Sequence, residues 1–154
     1  MEEKEPDRNL FVITYMTDWR KIAENSPILL FDGVCNLCND SVQFVIRNDP
    51  KQQLYFAALQ SEIGQDMLEQ AGIDPTALSS LVLYDKGRFY THSSAALRTA
   101  SYLRLPWNIL TIFRVIPSFV RDAIYNWIAR NRYRWFGKKD QCMMPTPELK
   151  ARFL

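Results

Sequence analysis

The sequence has 154 residues, the size of one ordinary domain, and its 47% hydrophobic and 23% charged residues are enough to bury a single core. This composition argues against intrinsic disorder, and three cysteines are too few for a disulfide scaffold. The N-terminus has neither the basic start nor the apolar run of a secretory signal, so we expect a cytoplasmic protein.

The net charge of +2 conceals an uneven distribution along the chain. Residues 1–97 carry 8 Lys or Arg against 14 Asp or Glu, whereas residues 98–139 carry 9 against Asp122 alone. A basic segment of this kind is typical either of helices that dock on the acidic part or of a surface that attracts anions, and we favour the first. No nucleic-acid reading motif accompanies it, so no nucleic-acid partner is expected.

The first 26 residues read as an N-terminal extension, and the domain is predicted to occupy residues 27–154. An apolar run at 28–31, stopped by Asp32-Gly33, predicts a buried central strand. Residues 36–48 carry apolar side chains on one helical face and end before Asp49-Pro50, so a helix is predicted to follow the strand at once.

The next segments continue the alternation of strands and helices. Gly72 closes a helical pattern in the position that commonly adopts left-handed dihedral angles, and Asp85-Lys86-Gly87 is typical of a hairpin turn. Ser93 or Ser94 is predicted to cap the last helix of the series. The predicted elements are strands at 54–58, 80–84 and 88–91 and a helix at 61–71. The resulting order, βαβαββα, predicts an α/β fold.

From about residue 106 the pattern predicts an appended C-terminal helical region. Arginines alternate with apolar side chains there, which is also how a helix lying in a membrane interface is built. The apolar run from 105 to 120 contains Arg114 and Pro117, so a spanning helix is not expected. We favour packing against the sheet; peripheral membrane contact is the alternative.

Cys35 and Cys38 lie where the first strand passes into the first helix. A CxxC pair in this context, within a βαβ pattern, indicates a thiol-disulfide site. Three residues are close to one helical turn, so the two sulfurs face the same side. Cys35 is the predicted nucleophile because the helix N-terminus favours its thiolate form, and Cys38 is predicted to resolve the mixed disulfide.

Asp32 is the third predicted catalytic residue. It ends an apolar strand three residues before Cys35, and a carboxylate there can exchange a proton with a thiol. Its negative charge also opposes a neighbouring thiolate, and capping of the turn through Gly33 is an alternative role. Asn36 and Leu37, between the cysteines, bring no positive charge, which predicts a reducing rather than a strongly oxidising couple.

Other interpretations of the same residues remain open. A structural zinc site can be assembled only from Cys35, Cys38, Cys142 and His92, and that spacing lacks a second close pair. The two thiols can also be purely structural, since free cysteine often behaves as a small hydrophobe. The chain would then be a non-catalytic binding or membrane-peripheral module. Our prediction is no metal.

The segment Phe31-Asp32-Gly33-Val34-Cys35-Asn36-Leu37-Cys38 resembles the signature of the DCC family of thiol-disulfide oxidoreductases, named for its Asp, Cys and Cys. The likeness continues through residues 91–98 and 129–134 and covers roughly residues 27–154. The resemblance implies a thioredoxin-like fold and names Asp32, Cys35 and Cys38 as the site.

The sequence lacks the proline that thioredoxins place before the third core strand, so substrate recognition is expected to differ. The polar groups predicted to bind substrate instead are Ser79, Ser80, His92 and Ser93. The dithiol carries its own electrons, so we expect no cofactor. The expected partners are a thiol or disulfide substrate and a recycling reductant.

Overall fold

The computed structural model describes residues 19–33, 35–74, 81–137 and 152–154. Its strands are β1 (Ile28–Phe31), β2 (Tyr55–Ala58), β3 (Val82–Asp85) and β4 (Arg88–Thr91). Its helices are α1 (residues 19–25), α2 (Asn36–Asn48), α3 (Glu62–Ala71), α4 (His92–Ala100) and α5 (Ser118–Phe136), with a 3-10 helix at Trp107–Val115 before α5. The predicted βαβαββα order and the appended helical region are confirmed.

The four strands form one mixed sheet in the order β2-β1-β3-β4. Strand β1 pairs parallel with β2 and antiparallel with β3, and β4 pairs antiparallel with β3. Because β1 is central, both of its faces are buried. Ile28 and Leu30 join the core under α1 and α3, whereas Leu29 and Phe31 join the core under α2 and α4. The arrangement agrees with a thioredoxin-like α/β core followed by C-terminal helices.

Local sequence signals explain most of the element ends. The Ser61 hydroxyl caps α3 by accepting a hydrogen bond from the Gly64 amide at 3.1 Å, and Gly72 ends that helix with a φ of +66°. The turn between β3 and β4 is shorter than predicted. Lys86 and Gly87, both with positive φ, form it, because this turn matches the twist of the two strands.

The predicted serine cap of α4 is wrong. Thr91 occupies the cap position without a side-chain hydrogen bond, and α4 already begins at His92. The Ser93 hydroxyl instead donates to the Asp122 carboxylate of α5. The hydroxyl that was expected to cap α4 therefore forms a hydrogen bond between α4 and α5 instead.

Both ends of the described chain pack on the sheet domain. Trp19 is 3% exposed and donates its Nε1–H to Asp66 Oδ2 at 2.8 Å, so α1 belongs to the core. At the other end, Arg152 Nη2 donates to Asp49 Oδ2 at 2.7 Å, and the Leu154 amide donates to the Phe56 carbonyl at 2.8 Å. The predicted boundary after residue 26 stays a prediction. Residues 1–18 and Cys142 lie outside the described residues.

None of the helices in the described ranges is long and apolar enough to cross a membrane.

Candidate active site

Cys35 and Cys38 lie at the junction of β1 and α2, where the sequence predicts them. Cys35 is the N-cap residue of α2, with extended backbone angles and no side-chain cap, and Cys38 lies one turn inside the helix. Both are free thiols, and their side chains interact by a hydrogen bond. The two sulfurs are therefore placed to form an intramolecular disulfide.

Both thiols are buried, Cys35 with 0% exposure and Cys38 with 7%. Burial raises the pKa of Cys38 to about 12, with smaller contributions from the charge of Cys35 and from the hydrogen bond to Cys35. The charge of Arg132 lowers this pKa and so acts in the opposite direction. Cys38 is thus a protonated thiol at neutral pH. To act as a nucleophile, it must first give its proton to a neighbouring base.

Asp32, directly after β1, is buried and accepts hydrogen bonds on both carboxylate oxygens. Its Oδ2 accepts from Arg132 Nη2 at 2.9 Å and from the Tyr133 hydroxyl at 2.5 Å. Its Oδ1 accepts from Gln60 Nε2 at 2.7 Å. These donors stabilise the negative charge and fix the orientation of the carboxylate beside the dithiol.

Arg132 connects the carboxylate to the dithiol. Its Nη2 forms the ion pair with Asp32, and its Nη1 donates to Cys38 Sγ at 3.3 Å. Burial opposes the charge of this guanidinium, but the Cys38 sulfur and other neighbouring negative groups keep its pKa above the ordinary value. One buried cation therefore contacts both the Asp32 carboxylate and the Cys38 sulfur.

Helix α5 is held against the site by polar contacts at several points. The amide Nδ2 of Asn36, between the two cysteines, donates to the Phe136 carbonyl at 2.7 Å, and the Asn36 backbone N–H points to the Gly137 carbonyl at 3.5 Å. The Leu81 amide donates to the Tyr125 hydroxyl at 3.1 Å. One of the amides expected to favour a Cys35 thiolate is thus already directed at the carbonyl of Gly137, the residue that follows α5.

A small pocket of about 210 Å³ opens beside the dithiol. Cys38 and Arg132 lie on its wall, and most of the remaining lining is apolar, including Leu37, Leu81 and Ile128. In the conformation described, the pocket reaches Cys38 and not Cys35. It provides room for a small apolar group next to the Cys38 sulfur.

Comparison with known proteins identifies the family. Residues 29–138 match the model of the DCC1-like thiol-disulfide oxidoreductase family. The chain is 49% identical over 127 residues to the protein YuxK of Bacillus subtilis (strain 168), covering 82% of this chain and 93% of the relative. The chain belongs to the DCC1-like thiol-disulfide oxidoreductase family.

A plant relative extends the match. The chloroplastic DCC family protein At1g52590 of Arabidopsis thaliana is 45% identical over 120 residues, which cover 77% of this chain and 70% of that protein. No solved structure matches the chain significantly. The resemblance to the DCC family stated from the sequence is thereby confirmed.

Sequence reasoning did not find three residues at this DCC1-like site: Gln60, Arg132 and Tyr133. A signal existed for Gln60, because it follows β2 and Asp32 follows β1, and the carboxyl ends of parallel strands meet at one sheet edge. Arg132 and Tyr133 are about one hundred positions from Asp32 along the chain. In the sequence, Arg132 is one of many arginines in a basic segment, so its burial gives no local signal.

The predicted substrate-binding residues of this DCC1-like chain lie apart from the pocket or outside the described residues. Ser93 bonds to Asp122, and the His92 ring packs edge-on against Tyr125 at 5.8 Å. Tyr125 itself lines the pocket, so His92 contacts a residue of the pocket wall without being part of the lining. Ser79 and Ser80 fall outside the described residues. The binding role of these four residues stays a prediction.

Proposed function

We propose that this protein exchanges thiols and disulfides through Cys35 and Cys38. The observation that carries the proposal is a pair of free thiols at the start of α2, with a buried arginine that joins Cys38 to Asp32. A purely structural pair of thiols needs no buried ion pair beside it. Burying two charges costs free energy, so the presence of this ion pair favours a chemical role for the thiols. The family name supports the same chemistry.

The proposed reaction begins at Cys35. Its thiolate attacks one sulfur of a substrate disulfide, forms a mixed disulfide and releases the other substrate sulfur as a thiolate. The Cys38 thiol then loses its proton and attacks Cys35 Sγ, which releases the second substrate thiolate. Two electrons pass from the dithiol to the substrate, and the protein ends with a Cys35–Cys38 disulfide.

The contacts of Arg132 support Asp32 as the acceptor of the Cys38 proton. Before transfer, the guanidinium is paired with the Asp32 carboxylate; after transfer, it is paired with the Cys38 thiolate, which its Nη1 already contacts at 3.3 Å. The net charge of the buried group of three is zero in both states. Proton transfer therefore avoids the cost of creating an uncompensated charge in the interior.

The proposal is tested by single-turnover reaction of the reduced protein with hydroxyethyl disulfide, followed by mass spectrometry. Cys142→Ser is introduced in every variant so that the third thiol does not contribute. We expect the Cys142→Ser parent to end as an internal disulfide, and the further variant Cys38→Ser to stop as a mixed disulfide on Cys35. Adding Asp32→Asn instead should slow release of the second thiol by roughly a hundredfold, the lower range for a lost proton acceptor.

Two results would contradict this assignment. If the parent thiols remain unmodified under conditions that oxidise free cysteine, the pair is structural. If the Cys35→Ser variant forms the mixed disulfide on Cys38 as fast as the parent reacts, the order of attack is reversed. Asn36 and Leu37 bring no positive charge to the attacking sulfur. We therefore expect a reduction potential below about −180 mV, on the reducing side of protein disulfide isomerase.

A further inference from the structure

The 3-10 helix and α5 leave a large apolar surface uncovered. In the described part of the chain, the 3-10 helix buries none of its residues and α5 buries only Arg132. Ile112 is 64% exposed, Phe119 74% and Trp127 58%. Surface helices of globular proteins normally turn polar residues outward, and a contiguous exposed apolar patch marks an interaction site.

Helix α5 has two faces with different tasks. Asp122, Tyr125 and Arg132 point to the domain, where they bond to Ser93, the Leu81 amide and the Asp32 carboxylate. Val120, Ile124 and Trp127 follow the same spacing of three and four residues on the other side and are all exposed. The outward apolar stripe is therefore not used for packing against the domain.

The charged residues of the 3-10 helix and α5 are five arginines and Asp122. Asp122, the single acidic residue between positions 98 and 139, is already bonded to Ser93. Arg114, Arg130 and Arg134 are exposed and form no ion pair with any other described residue. The surface thus combines large apolar side chains with positive charge that no other residue of the described ranges pairs.

We propose that the outward face of the 3-10 helix and α5 binds the surface of an anionic lipid bilayer. Aromatic and aliphatic side chains enter the boundary between headgroups and acyl chains, and arginines reach the lipid phosphates. Trp127 and Trp135, whose rings contact each other at 5.1 Å, are the residue type enriched at that depth. A second copy of the chain fits less well, because a symmetric dimer would place two copies of the same positively charged patch face to face.

Flotation of the full chain with vesicles tests the proposal. Vesicles of phosphatidylglycerol and phosphatidylcholine in equal parts are compared with vesicles of phosphatidylcholine alone. We expect binding to the anionic vesicles that weakens as salt is raised. Replacing both Arg130→Gln and Arg134→Gln should lower the partition coefficient by roughly thirtyfold, and Ile124→Ser with Trp127→Ser by at least roughly tenfold.

The matched control is Arg20→Gln with Arg88→Gln, which removes the same charge from exposed positions outside this surface and should bind like wild type. The replaced apolar side chains are exposed, so thermal unfolding should show intact folds. Failure of the wild type to float with anionic vesicles would overturn the proposal. Self-association that Ile124→Ser abolishes, without vesicle binding, would overturn it in favour of a dimer. Lipid binding needs no thiol, so neither result bears on the proposed exchange reaction.

Discussion

The part of the chain from β1 to α4 and the part from the 3-10 helix to α5 are held in the fold by different interactions. The first buries apolar side chains such as Leu30, Phe56 and Val82 completely. The second buries, among its described residues, only the guanidinium-bearing Arg132. We infer from this difference that apolar burial in the first part supplies stability, whereas the second part supplies the charge that completes the candidate site.

The largest expected effect tests the first half of this comparison. Phe56 in β2 is 0% exposed and its ring packs against Phe153 at 5.5 Å. Phe56→Ala should lower the free energy of unfolding by about 3–5 kcal/mol, because it leaves a cavity in the core. The measurement is urea denaturation followed by circular dichroism.

The matched control is Phe119→Ala in α5, where the ring is 74% exposed. It should change stability by less than about 0.5 kcal/mol, as surface substitutions usually do. A loss as large as that of Phe56→Ala would show that the outward face of α5 is covered in solution, and the contrast between the two regions would fail.

A somewhat smaller effect is expected for Arg132→Gln, which tests the second half. The change leaves the Asp32 carboxylate buried without its cation, which should cost about 3 kcal/mol, the low end for a broken buried ion pair. This lower value is expected because Gln60 and Tyr133 still donate to Asp32. Urea denaturation at pH 7 measures the loss.

Two companion variants define what that loss means. Arg130→Gln changes an exposed arginine of the same helix and should be close to neutral. The double variant Asp32→Asn/Arg132→Gln removes both charges and should recover part of the stability, since no unpaired charge remains. If the double variant loses as much stability as the Asp32→Asn and Arg132→Gln single variants lose together, the ion pair does not attach α5 to the domain.

The same contrast explains how much the sequence could predict. Strand β1 and helix α2 were predictable because apolar periodicity and turn residues are local signals, and Cys35 and Cys38 were found because they lie at the junction of those two elements. Helix α5 is apolar on its outward face, and its inward face carries Arg132 beside the apolar Ile128. Because both faces carry apolar residues, periodicity predicts a helix there but does not say which face lies against the domain.

Contacts over long sequence distances were the part that could not be predicted. Asp32 was proposed as a catalytic residue, but nothing near it in the sequence names Arg132 or Tyr133 as its donors. The sequence predicts Ser93 or Ser94 as a helix cap because capping is the commonest role of serine before a helix. The Asp122 carboxylate that accepts its hydrogen bond becomes a neighbour only when α5 folds back over α4.

The smallest expected effect is a change in how stability depends on pH. It is compared for Tyr102, which packs against the core of the first part, and Tyr133 of α5. Tyr102, after α4, donates to Asp85 at 2.9 Å, and Tyr133 of α5 donates to Asp32. Burial first, and then these hydrogen bonds, raise the pKa of each to about 12. An unfolded tyrosine ionises near about pH 10. Each tyrosine therefore contributes stability that is fully present below that pH and is lost as the pH rises through about 12.

Replacing either tyrosine with phenylalanine should flatten the fall in stability between about pH 10 and 12, measured by urea denaturation across that window. Cys38 titrates in the same range in both variants, so its contribution cancels in the comparison. If α5 is docked as firmly as the sheet domain, Tyr133→Phe and Tyr102→Phe flatten the curve equally. If Tyr133→Phe has no effect, α5 separates from the domain before the domain unfolds, and the polar contacts around Arg132 hold it less firmly than apolar burial holds the core.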